Sequence, residues 1–265
     1  MAADGPADLL YEVWDGIARV TFNRPQARNA MLFSMYERLA EICAEIEADR
    51  GVRALILTGA GDKAFAAGTD ISQFRAFQTP EDALQYEARI DRVLGVLERL
   101  RVPTIAAIAG ACTGGGAAMA ACCDLRIAAG TLRFGFPIAR TLGNCLSVAN
   151  YARLAALIGP ARVKDMVFTA RLIEAEEARS IGLVSEVLPD AAALAQRAEE
   201  LARHVATHAP LTLRVTKEAL RRIRDRSAPP GDADHDLLLM CYMSTDFREG
   251  MEAFLGKRAP VWRGE

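Results

Sequence analysis

Three consecutive glycines, Gly114 to Gly116, follow one apolar segment and precede a run of alanines with one methionine. The segment before them, residues 104–108, predicts a buried strand, and the small apolar residues after them predict a buried helix. The first N–H groups of a helix have no partner within it, and glycines leave such groups uncovered by side chains. The turn therefore directs free donors, at the positive end of a helix, towards whatever lies in front of it.

A second glycine-containing turn occurs earlier in the chain, at residues 66–70 around Gly68. It can supply one more backbone N–H group from a separate loop. Two donors that converge from separate segments are what an oxyanion hole requires. The glycine stretch itself, residues 110–120, contains no carboxylate.

The composition of the 265 residues is that of a globular protein, with 51% hydrophobic residues and a formal net charge of -2. This balance gives no electrostatic reason to expect nucleic acid or an anionic membrane as a partner. No apolar run approaches the ~20 residues that span a bilayer, and the N-terminus lacks the features of a signal peptide. The six cysteines form no CxxC pair and lie mostly among small apolar residues, which suits buried reduced thiols. We therefore expect a cytoplasmic protein.

Strand and helix patterns alternate through most of the chain, and only helical patterns follow. Residues 9–14 and 17–22 flank Asp15-Gly16, which predicts a β-hairpin. Helical periodicity covers residues 31–49 and 81–100. These patterns predict an α/β core over residues 1–195 and a helical region over residues 196–265, in which residues 227–232 resemble a linker.

Several short motifs, in their order along the chain, resemble those of the crotonase superfamily, also called the enoyl-CoA hydratase/isomerase family. Each motif is weak alone, but together they cover nearly the whole length. They are Asn23-Arg24-Pro25 with Asn29-Ala30, residues 64–71, residues 103–110 with the triple glycine, residues 123–126, residues 175–184 and residues 249–258.

The resemblance implies a spiral of ββα units and a C-terminal helical region that joins subunits into trimers, often paired as hexamers. It also implies an acyl-CoA substrate, with coenzyme A present as part of that substrate and no permanently bound cofactor. The two oxyanion donors of the family fall on the backbone N–H groups of Thr69 and Gly115. Loss of one such donor typically costs ~3–4 kcal/mol of transition-state stabilisation.

The resemblance also assigns contacts with coenzyme A. The positions are Gln26, Ala27, Arg28, Ala67, Phe254 and Lys257. Arg28 and Lys257 carry the charge that a phosphate requires, and Phe254 can pack on an adenine ring. The alternative is that both cations are solvated surface residues.

The catalytic glutamates are where this chain differs from the family. Hydratases of this type use two glutamates, and their positions are occupied here by Ala118 and Ile138. Neither side chain can transfer a proton, and the loss of one acid–base group costs ~10²–10⁴-fold in rate. Two-glutamate hydration is therefore not expected, which leaves decarboxylation, C–C cleavage or slow hydration. The alternative is a non-catalytic acyl-CoA-binding or scaffold protein.

Polar residues follow Ile138 and supply candidates for other roles. Arg140 can hold a substrate carboxylate, and Asn144 can orient a water molecule or hold an enolate. Cys145 is a candidate nucleophile, although its apolar neighbours favour an inert buried thiol. Asn144 and Ser147 have the alternative role of capping the helix that follows.

Five further residues complete the candidates. Asp70 and Gln73 follow the first oxyanion loop and can contact the acyl group, whereas Asp124 is expected to be structural. His204 and His208 share one helix face and can bind a metal, but no third ligand accompanies them. A solvated helix face is therefore favoured, and no metal is expected.

Overall fold

Two β-sheets form the centre of the computed structural model, which describes residues 7–225 and 235–263. The strands are β1 (Leu9–Trp14), β2 (Ile17–Phe22), β3 (Ala54–Gly59), β4 (Ala64–Ala66), β5 (Thr104–Ile108), β6 (Ala111–Thr113), β7 (Leu125–Ala129), β8 (Arg133–Gly135), β9 (Ile173–Glu174) and β10 (Glu186–Leu188). One sheet has the order β1-β2-β3-β5-β7-β10, and the other has the order β4-β6-β8-β9. The predicted linker at residues 227–232 lies outside the described residues.

Helices surround both sheets. They are α1 (Phe33–Ala48), α2 (Pro80–Arg99), α3 (Gly115–Cys122), α4 (Ile138–Thr141), α5 (Val148–Ile158), α6 (Pro160–Phe168), α7 (Ala175–Ser180), α8 (Ala191–Ala206), α9 (Pro210–Asp225), α10 (His235–Tyr242) and α11 (Thr245–Leu255). Two 3₁₀ helices are also present: Pro25–Ala27 precedes α1, and Ile71–Ala76 precedes α2. Among the helices described, none has both the length and the apolar composition that a membrane crossing needs.

The predicted hairpin is confirmed at the start of the chain. β1 and β2 pair antiparallel from Leu9 opposite Phe22 to Trp14 opposite Ile17. Asp15 and Gly16 have φ angles of 46° and 76°. Positive φ at both central residues gives a two-residue turn whose twist matches that of the strands.

A ββα unit repeats three times after the hairpin. β3 and β4 precede α2, β5 and β6 precede α3, and β7 and β8 precede α4. The first strand of each unit joins the large sheet in parallel, and the second joins the small sheet. Each chain segment therefore leaves the large sheet, crosses the small one and enters a helix, which confirms the α/β class and the repeated ββα unit.

Both faces of the large sheet are buried. Leu55 and Leu57 of β3 face the core formed with α1, α2 and α3. Ile56, between them, faces α8, where it packs in one cluster with Leu194 and Ala198. Alternate side chains of a strand point to opposite faces, so covering both sides requires the continuous apolar pattern seen here. The predicted boundary between residues 195 and 196 thus falls inside α8, a helix that covers the sheet.

The C-terminal helices are attached to the core through an aromatic cluster. Phe74, from the second 3₁₀ helix, contacts Tyr86 of α2 and Phe247 of α11 edge-to-face, with ring centroids 5.0 and 6.0 Å apart. Tyr242 of α10 lies 4.9 Å from Phe247. This cluster brings residues that are far apart in sequence to one side of α2.

Candidate active site

A cavity of about 180 Å³ lies between the glycine loops, α2 and the C-terminal helices. Parts of residues 67–74, α2, residues 113–118 and residues 136–146 line it, and α10 and α11 contribute Tyr242 and Phe254. Most of the lining side chains are apolar. Among the lining residues that the structure describes, Glu87 is the one with a formal charge.

Thr69 and Gly115 line the cavity from two separate loops. Their backbone N–H groups donate to no acceptor within the described residues. The amide of Gly114, by contrast, donates to the carbonyl oxygen of Gly135 at 3.1 Å. Two uncommitted amides beside one cavity are the arrangement that stabilises a developing oxyanion.

The close approach of the two loops depends on glycine. Gly68 and Gly114 have φ angles of +103° and +52°, a region that residues with side chains rarely adopt. A Cβ atom on Gly114 would lie 3.4 Å from the Cα atom of Gly68. The glycines thus let the amides of Thr69 and Gly115 reach the same cavity.

A chain of hydroxyl groups lies behind the two amides. Thr69 Oγ1 is 2.9 Å from the hydroxyl oxygen of Tyr36 and 2.9 Å from that of Tyr86. Burial raises the pKa of Tyr36 to about 12, and burial also raises the pKa of Tyr86 well above its usual value. Both phenols therefore stay protonated and hold the Thr69 side chain in place.

Backbone hydrogen bonds fix the loop that carries Thr69. The amide of Met31 donates to the Gly68 carbonyl at 2.8 Å, and the amide of Asp70 donates to the Met31 carbonyl at 2.9 Å. The Ala67 amide donates to the Arg28 carbonyl at 3.1 Å. Because its neighbours are bonded on both sides, the Thr69 amide keeps its direction without a ligand.

The two positions at which hydratases of the resembled family carry glutamates both line the cavity. Ala118 lies on α3 and is 4% exposed, and Ile138 begins α4 and is 7% exposed. They form an apolar wall next to Gly115. Neither side chain can take up or release a proton there.

The sequence analysis missed Glu87, a buried carboxylate in the same cavity. Glu87 is 6% exposed and lies on the apolar face of α2, in register with Ala83, Ile90 and Leu94. The hydroxyl of Tyr242 donates to Glu87 Oε1 at 2.5 Å. The sequence contains one signal for it, because Glu87 falls at the helical spacing of the apolar residues of α2. An acidic residue on the buried face of an amphipathic helix is unusual and indicates a specific role.

Asn144 and Tyr242 lie next to Glu87. Asn144 Nδ2 donates to the Tyr242 hydroxyl oxygen at 3.2 Å. Asn144 Oδ1 is buried and accepts no hydrogen bond from the residues that the structure describes. Burial, followed by the charge of Glu87, raises the pKa of Tyr242 well above its usual value. Tyr242 is therefore a donor to Glu87 and an acceptor from Asn144.

The other candidates after Ile138 have different positions. Arg140 is exposed and does not line the cavity, so the structure does not bring it to the predicted substrate carboxylate. Cys145 lines the cavity, with its Sγ atom 3.6 Å from the carbonyl oxygen of Leu237. Ser147 caps α5 by accepting from the Asn150 amide at 3.3 Å. Of the two predicted caps, Ser147 has that role and Asn144 faces the cavity.

The acidic and amide residues near the first loop are used within the fold. Asp70 accepts from Ser72 and Arg24. Burial opposes the ionisation of Asp70, but these hydrogen bonds outweigh it and lower its pKa. Gln73 Oε1 accepts from the Phe33 amide at 2.9 Å. Neither Asp70 nor Gln73 lines the cavity, so each holds the loop rather than an acyl group.

Asp124 has a structural position at the start of β7. Its Oδ2 atom accepts from the amide and the hydroxyl of Thr104 at 2.8 and 2.9 Å. The same oxygen forms an ion pair with Lys217 at 2.7 Å. Asp124 therefore joins β5, β7 and α9, away from the cavity.

The positions assigned to coenzyme A separate into two groups. Ala67 and Phe254 line the cavity, and Phe254 is 50% exposed. The others lie outside the lining, and three of them are exposed: Gln26, Arg28 and Lys257. Ala27 ends the first 3₁₀ helix and is half-buried. The loop carrying Ala27 and Arg28 reaches the cavity edge through the hydrogen bond from Ala67.

His204 lies in the last turn of α8, whereas His208 lies beyond the end of that helix, so the two do not share one helix face as predicted. The rings of His204 and His208 are 4.7 Å apart, and His208 Nδ1 lies 2.9 Å from the His204 carbonyl oxygen. Over residues 7–225 and 235–263, no three His, Cys, Asp or Glu side chains are grouped as metal ligands would be.

Comparison with known proteins gives matches over nearly the whole chain. A family model described as enoyl-CoA hydratase/isomerase matches residues 12–265. The short-chain-enoyl-CoA hydratase of Clostridium acetobutylicum is 36% identical over 252 residues, which are 95% of each chain. An enoyl-CoA hydratase/isomerase from Xanthobacter autotrophicus Py2 is 28% identical, with a TM-score of 0.83 over 95% of this chain and 97% of that one. A methylmalonyl-CoA decarboxylase in complex with 2-nitronate-propionyl-CoA is 27% identical, with a TM-score of 0.88 over 98% and 100%.

Proposed function

The chain belongs to the enoyl-CoA hydratase/isomerase family, and from that premise we propose that it is an enzyme that converts an acyl-CoA thioester through a thioester enolate. The backbone N–H groups of Thr69 and Gly115 hold the thioester oxygen while negative charge develops on it. One observation carries the proposal: Thr69 and Gly115 line one cavity, and neither backbone amide has an acceptor in the described part of the chain.

The same cavity supports an uncharged acyl group. No cationic side chain is among its described lining residues, and Arg140 lies outside it. A malonyl-type substrate would place a second carboxylate next to Glu87, where like charges repel. Proton transfer on an uncharged acyl chain, or its C–C cleavage, therefore fits better than decarboxylation. Hydration by two glutamates does not fit, because Ala118 and Ile138 occupy those positions.

The coenzyme A part of the substrate is proposed to enter past Ala67 and Phe254, which lie at the cavity edge. Arg28 is exposed beside Ala67 and has the charge to contact a phosphate, as has Lys257 at the end of α11. Coenzyme A then arrives and leaves with each acyl group and is not a resident cofactor.

A homotrimer or a dimer of trimers is proposed as the assembly. The support comes from α9, which buries none of its residues and exposes four large apolar side chains: Leu211, Val215, Leu220 and Ile223. An exposed group of this kind indicates a contact with another protein surface. The six free cysteines support a reducing, cytoplasmic compartment.

Chromatography with mass spectrometry of the purified protein and a panel of acyl-CoA thioesters tests the enzymatic proposal. The panel contains crotonyl-CoA, longer 2-enoyl- and 3-enoyl-CoAs, β-keto thioesters and malonyl-type thioesters. We expect at least one of them to gain water, lose carbon dioxide, undergo chain cleavage or change isomer.

Two variants at one position show whether the amide matters. Thr69→Pro removes the N–H group and should lower turnover about 10²–10³-fold. Thr69→Ala keeps the N–H group and loses only the hydroxyl contacts with Tyr36 and Tyr86, so its loss should be much smaller. Thermal denaturation of each variant establishes that it is folded. If no thioester changes while acyl-CoA still binds, the chain is an acyl-CoA-binding protein and the enzymatic proposal is wrong.

A further inference from the structure

We infer that Glu87 is a catalytic residue of this cavity, whose carboxylate takes a proton from one carbon of the acyl chain and returns it to another. The inference rests on the proposed function, because it needs a thioester held by the amides of Thr69 and Gly115. It assigns the proton transfer to a residue of α2. Ala118 and Ile138, which occupy the two glutamate positions of the family, take no part in it.

The position of Glu87 relative to the two amides is the first argument. Glu87 lines the same cavity as Thr69 and Gly115, and that cavity holds only about 180 Å³. Tyr86, the residue before Glu87, has its hydroxyl 2.9 Å from Thr69 Oγ1. An acyl chain whose thioester reaches the amides therefore shares this small cavity with Glu87.

The burial of Glu87 is the second argument. Its side chain is 6% exposed and lies among Ala83, Ile90 and Leu94 on the apolar stripe of α2. Burial of a carboxylate is costly even when it is hydrogen-bonded, and an apolar side chain at this position would avoid that cost. A local conflict of this kind, in a cavity beside free amides, is typical of a functional residue.

Elimination among the lining residues is the third argument. The described lining contains no histidine and no lysine, and Glu87 is its one carboxylate. Tyr86 and Tyr242 have raised pKa values because they are buried, so neither phenol serves as a base near neutral pH. The Cys145 thiol contacts the Leu237 carbonyl. Glu87 is therefore the group of this cavity best suited to accept a proton.

Tyr242 and Asn144 act as positioning residues. Tyr242 is 2% exposed, and its hydroxyl donates to Glu87 Oε1 at 2.5 Å. Asn144 Nδ2 donates in turn to the Tyr242 oxygen at 3.2 Å. Because each member of this series is held by the next, the Glu87 carboxylate keeps one orientation.

The step that follows is a 1,3-proton shift on a 3-enoyl-CoA. The Glu87 carboxylate removes a proton from C2, and the C–H electron pair forms the C1–C2 double bond of a dienolate while the thioester oxygen takes up the negative charge. That oxygen is held by the amides of Thr69 and Gly115. The protonated Glu87 then delivers the proton to C4, the double bond moves to C2–C3, and the C=O bond re-forms. No atom is gained or lost, so a single carboxylate is sufficient.

Deuterium exchange tests Glu87 independently of the natural substrate. The full-length protein is incubated in D₂O with hexanoyl-CoA, and incorporation at C2 is measured by mass spectrometry. In parallel, 3-hexenoyl-CoA is followed for conversion to the 2-enoyl isomer. Wild-type protein should catalyse both, and Glu87→Gln should lower both rates about 10²–10⁴-fold. Glu81→Gln is the matched control, since Glu81 is exposed on the same helix, and should leave both rates unchanged.

Two further measurements separate a catalytic from a structural role. Calorimetric binding of hexanoyl-CoA should change less than about threefold in Glu87→Gln, which establishes that the cavity is intact. In Glu87→Ala, added formate should restore part of the exchange rate, because it supplies a carboxylate where the side chain is missing. A stabilising contact alone would not be replaced by formate.

The outcomes for Glu87 and for the proposed function are distinct. Exchange and isomerisation that persist in Glu87→Gln, or wild-type protein that binds hexanoyl-CoA without exchanging it, overturn the role of Glu87. In either case, turnover of another panel thioester that disappears in Thr69→Pro would still uphold the enolate proposal. If no thioester is exchanged or converted, both proposals are wrong.

Discussion

The cavity has two walls that are built in different ways. The amide wall consists of residues 67–69 and 114–115, which line the cavity and whose glycines let the two loops approach each other. The carboxylate wall consists of Glu87, Asn144 and Tyr242, whose side chains come from α2, the segment before α5, and α10. One wall depends on backbone geometry and the other on side chains brought together by the fold.

The difference shows which part of a site its local sequence can reveal. Backbone amides need glycine or small residues at fixed positions, so the amide wall leaves a motif in the sequence. The carboxylate wall needs only that three separate segments pack together, here through aromatic contacts such as Tyr242 with Phe247 at 4.9 Å. That packing leaves no motif around Glu87, and a family pattern centred on Ala118 and Ile138 does not include it.

Activity should be more sensitive to small substitutions in the amide wall than in the carboxylate wall. A Cβ atom on Gly115 would lie 2.1 Å from the Tyr36 hydroxyl oxygen, so Gly115→Ala must displace the loop or the ring. We expect kcat to fall about 10²–10³-fold, as for the loss of one oxyanion donor. Steady-state kinetics on whichever panel thioester is turned over measures this change.

A second variant sharpens that prediction. Without the Tyr36 hydroxyl, the nearest ring atom would be Cζ, 3.4 Å from the new Cβ atom, which is an ordinary contact. Tyr36→Phe combined with Gly115→Ala should therefore recover part of the lost activity. If the double variant is as inactive as Gly115→Ala alone, the contact with Tyr36 does not explain the need for glycine.

Substitutions in the carboxylate wall should instead change how activity depends on pH. Tyr242→Phe removes the O–H group that donates to Glu87 and stabilises its charged form. The carboxylate is then protonated more easily, so activity should be lost at a higher pH than in wild type as the solution is acidified. At neutral pH we expect a loss of about 10–100-fold, because a hydrogen bond to a charged group contributes ~1.5–3 kcal/mol.

The pH–rate profile of C2 deuterium exchange is the measurement for Tyr242→Phe. Tyr11→Phe is its control, since Tyr11 lies on β1 outside the cavity. A Tyr242→Phe profile that falls in parallel with wild type, with no shift of its acidic limb, would contradict a positioning role for Tyr242.

Most of the fold could be predicted from the sequence because its elements have strong local signals. The hairpin has Asp15-Gly16 at its turn, and the buried strands β3 and β5 read as apolar runs. The loops of Thr69 and Gly115 were identified together, and the structure places both at one cavity.

The side-chain part of the site could not be predicted in the same way. Residues 138–141 form the short helix α4, so Ile138 faces inwards while Arg140, two residues on, is exposed. Residues two apart on a helix point to nearly opposite sides, and the sequence did not indicate a helix there. Glu87 was not identified for a different reason. The sequence predicts an amphipathic helix over α2, but the residues on its buried face were not assigned.

A cysteine near each wall should differ in its reactivity, by a smaller factor than the changes in activity described above. Cys112 lies on β6 near the amide wall and is fully buried, and burial raises its pKa well above the usual value. Cys241 precedes Tyr242 at the carboxylate wall, and a hydrogen bond from Cys145 lowers its pKa to about 7 in spite of partial burial. The Cys241 thiolate therefore forms as the pH rises through about 7.

Alkylation by iodoacetamide, followed by peptide mass spectrometry, measures this difference. At neutral pH Cys241 should react about tenfold faster than an ordinary exposed thiol, and Cys112 should remain unmodified in folded protein. Cys145→Ala should slow the alkylation of Cys241, because it removes the group that donates a hydrogen bond to the thiolate. Equal rates for Cys241 with and without Cys145 would show that the two thiols do not interact.

The smallest effect is expected at Ser147, which lies three residues from Asn144 but has a structural role. Its hydroxyl caps α5 at the Asn150 amide and donates to Asp91 Oδ1 at 2.9 Å. Ser147→Ala should lower the free energy of unfolding by about 1–2 kcal/mol, as is typical when a cap is lost, and change kcat less than about threefold.

Asn144→Ala should show the reverse, with a larger loss of kcat than of stability, because Asn144 contacts Tyr242. Urea denaturation and kinetics of both variants decide this, and equal effects at the two positions would mean that this segment cannot be divided into structural and functional residues.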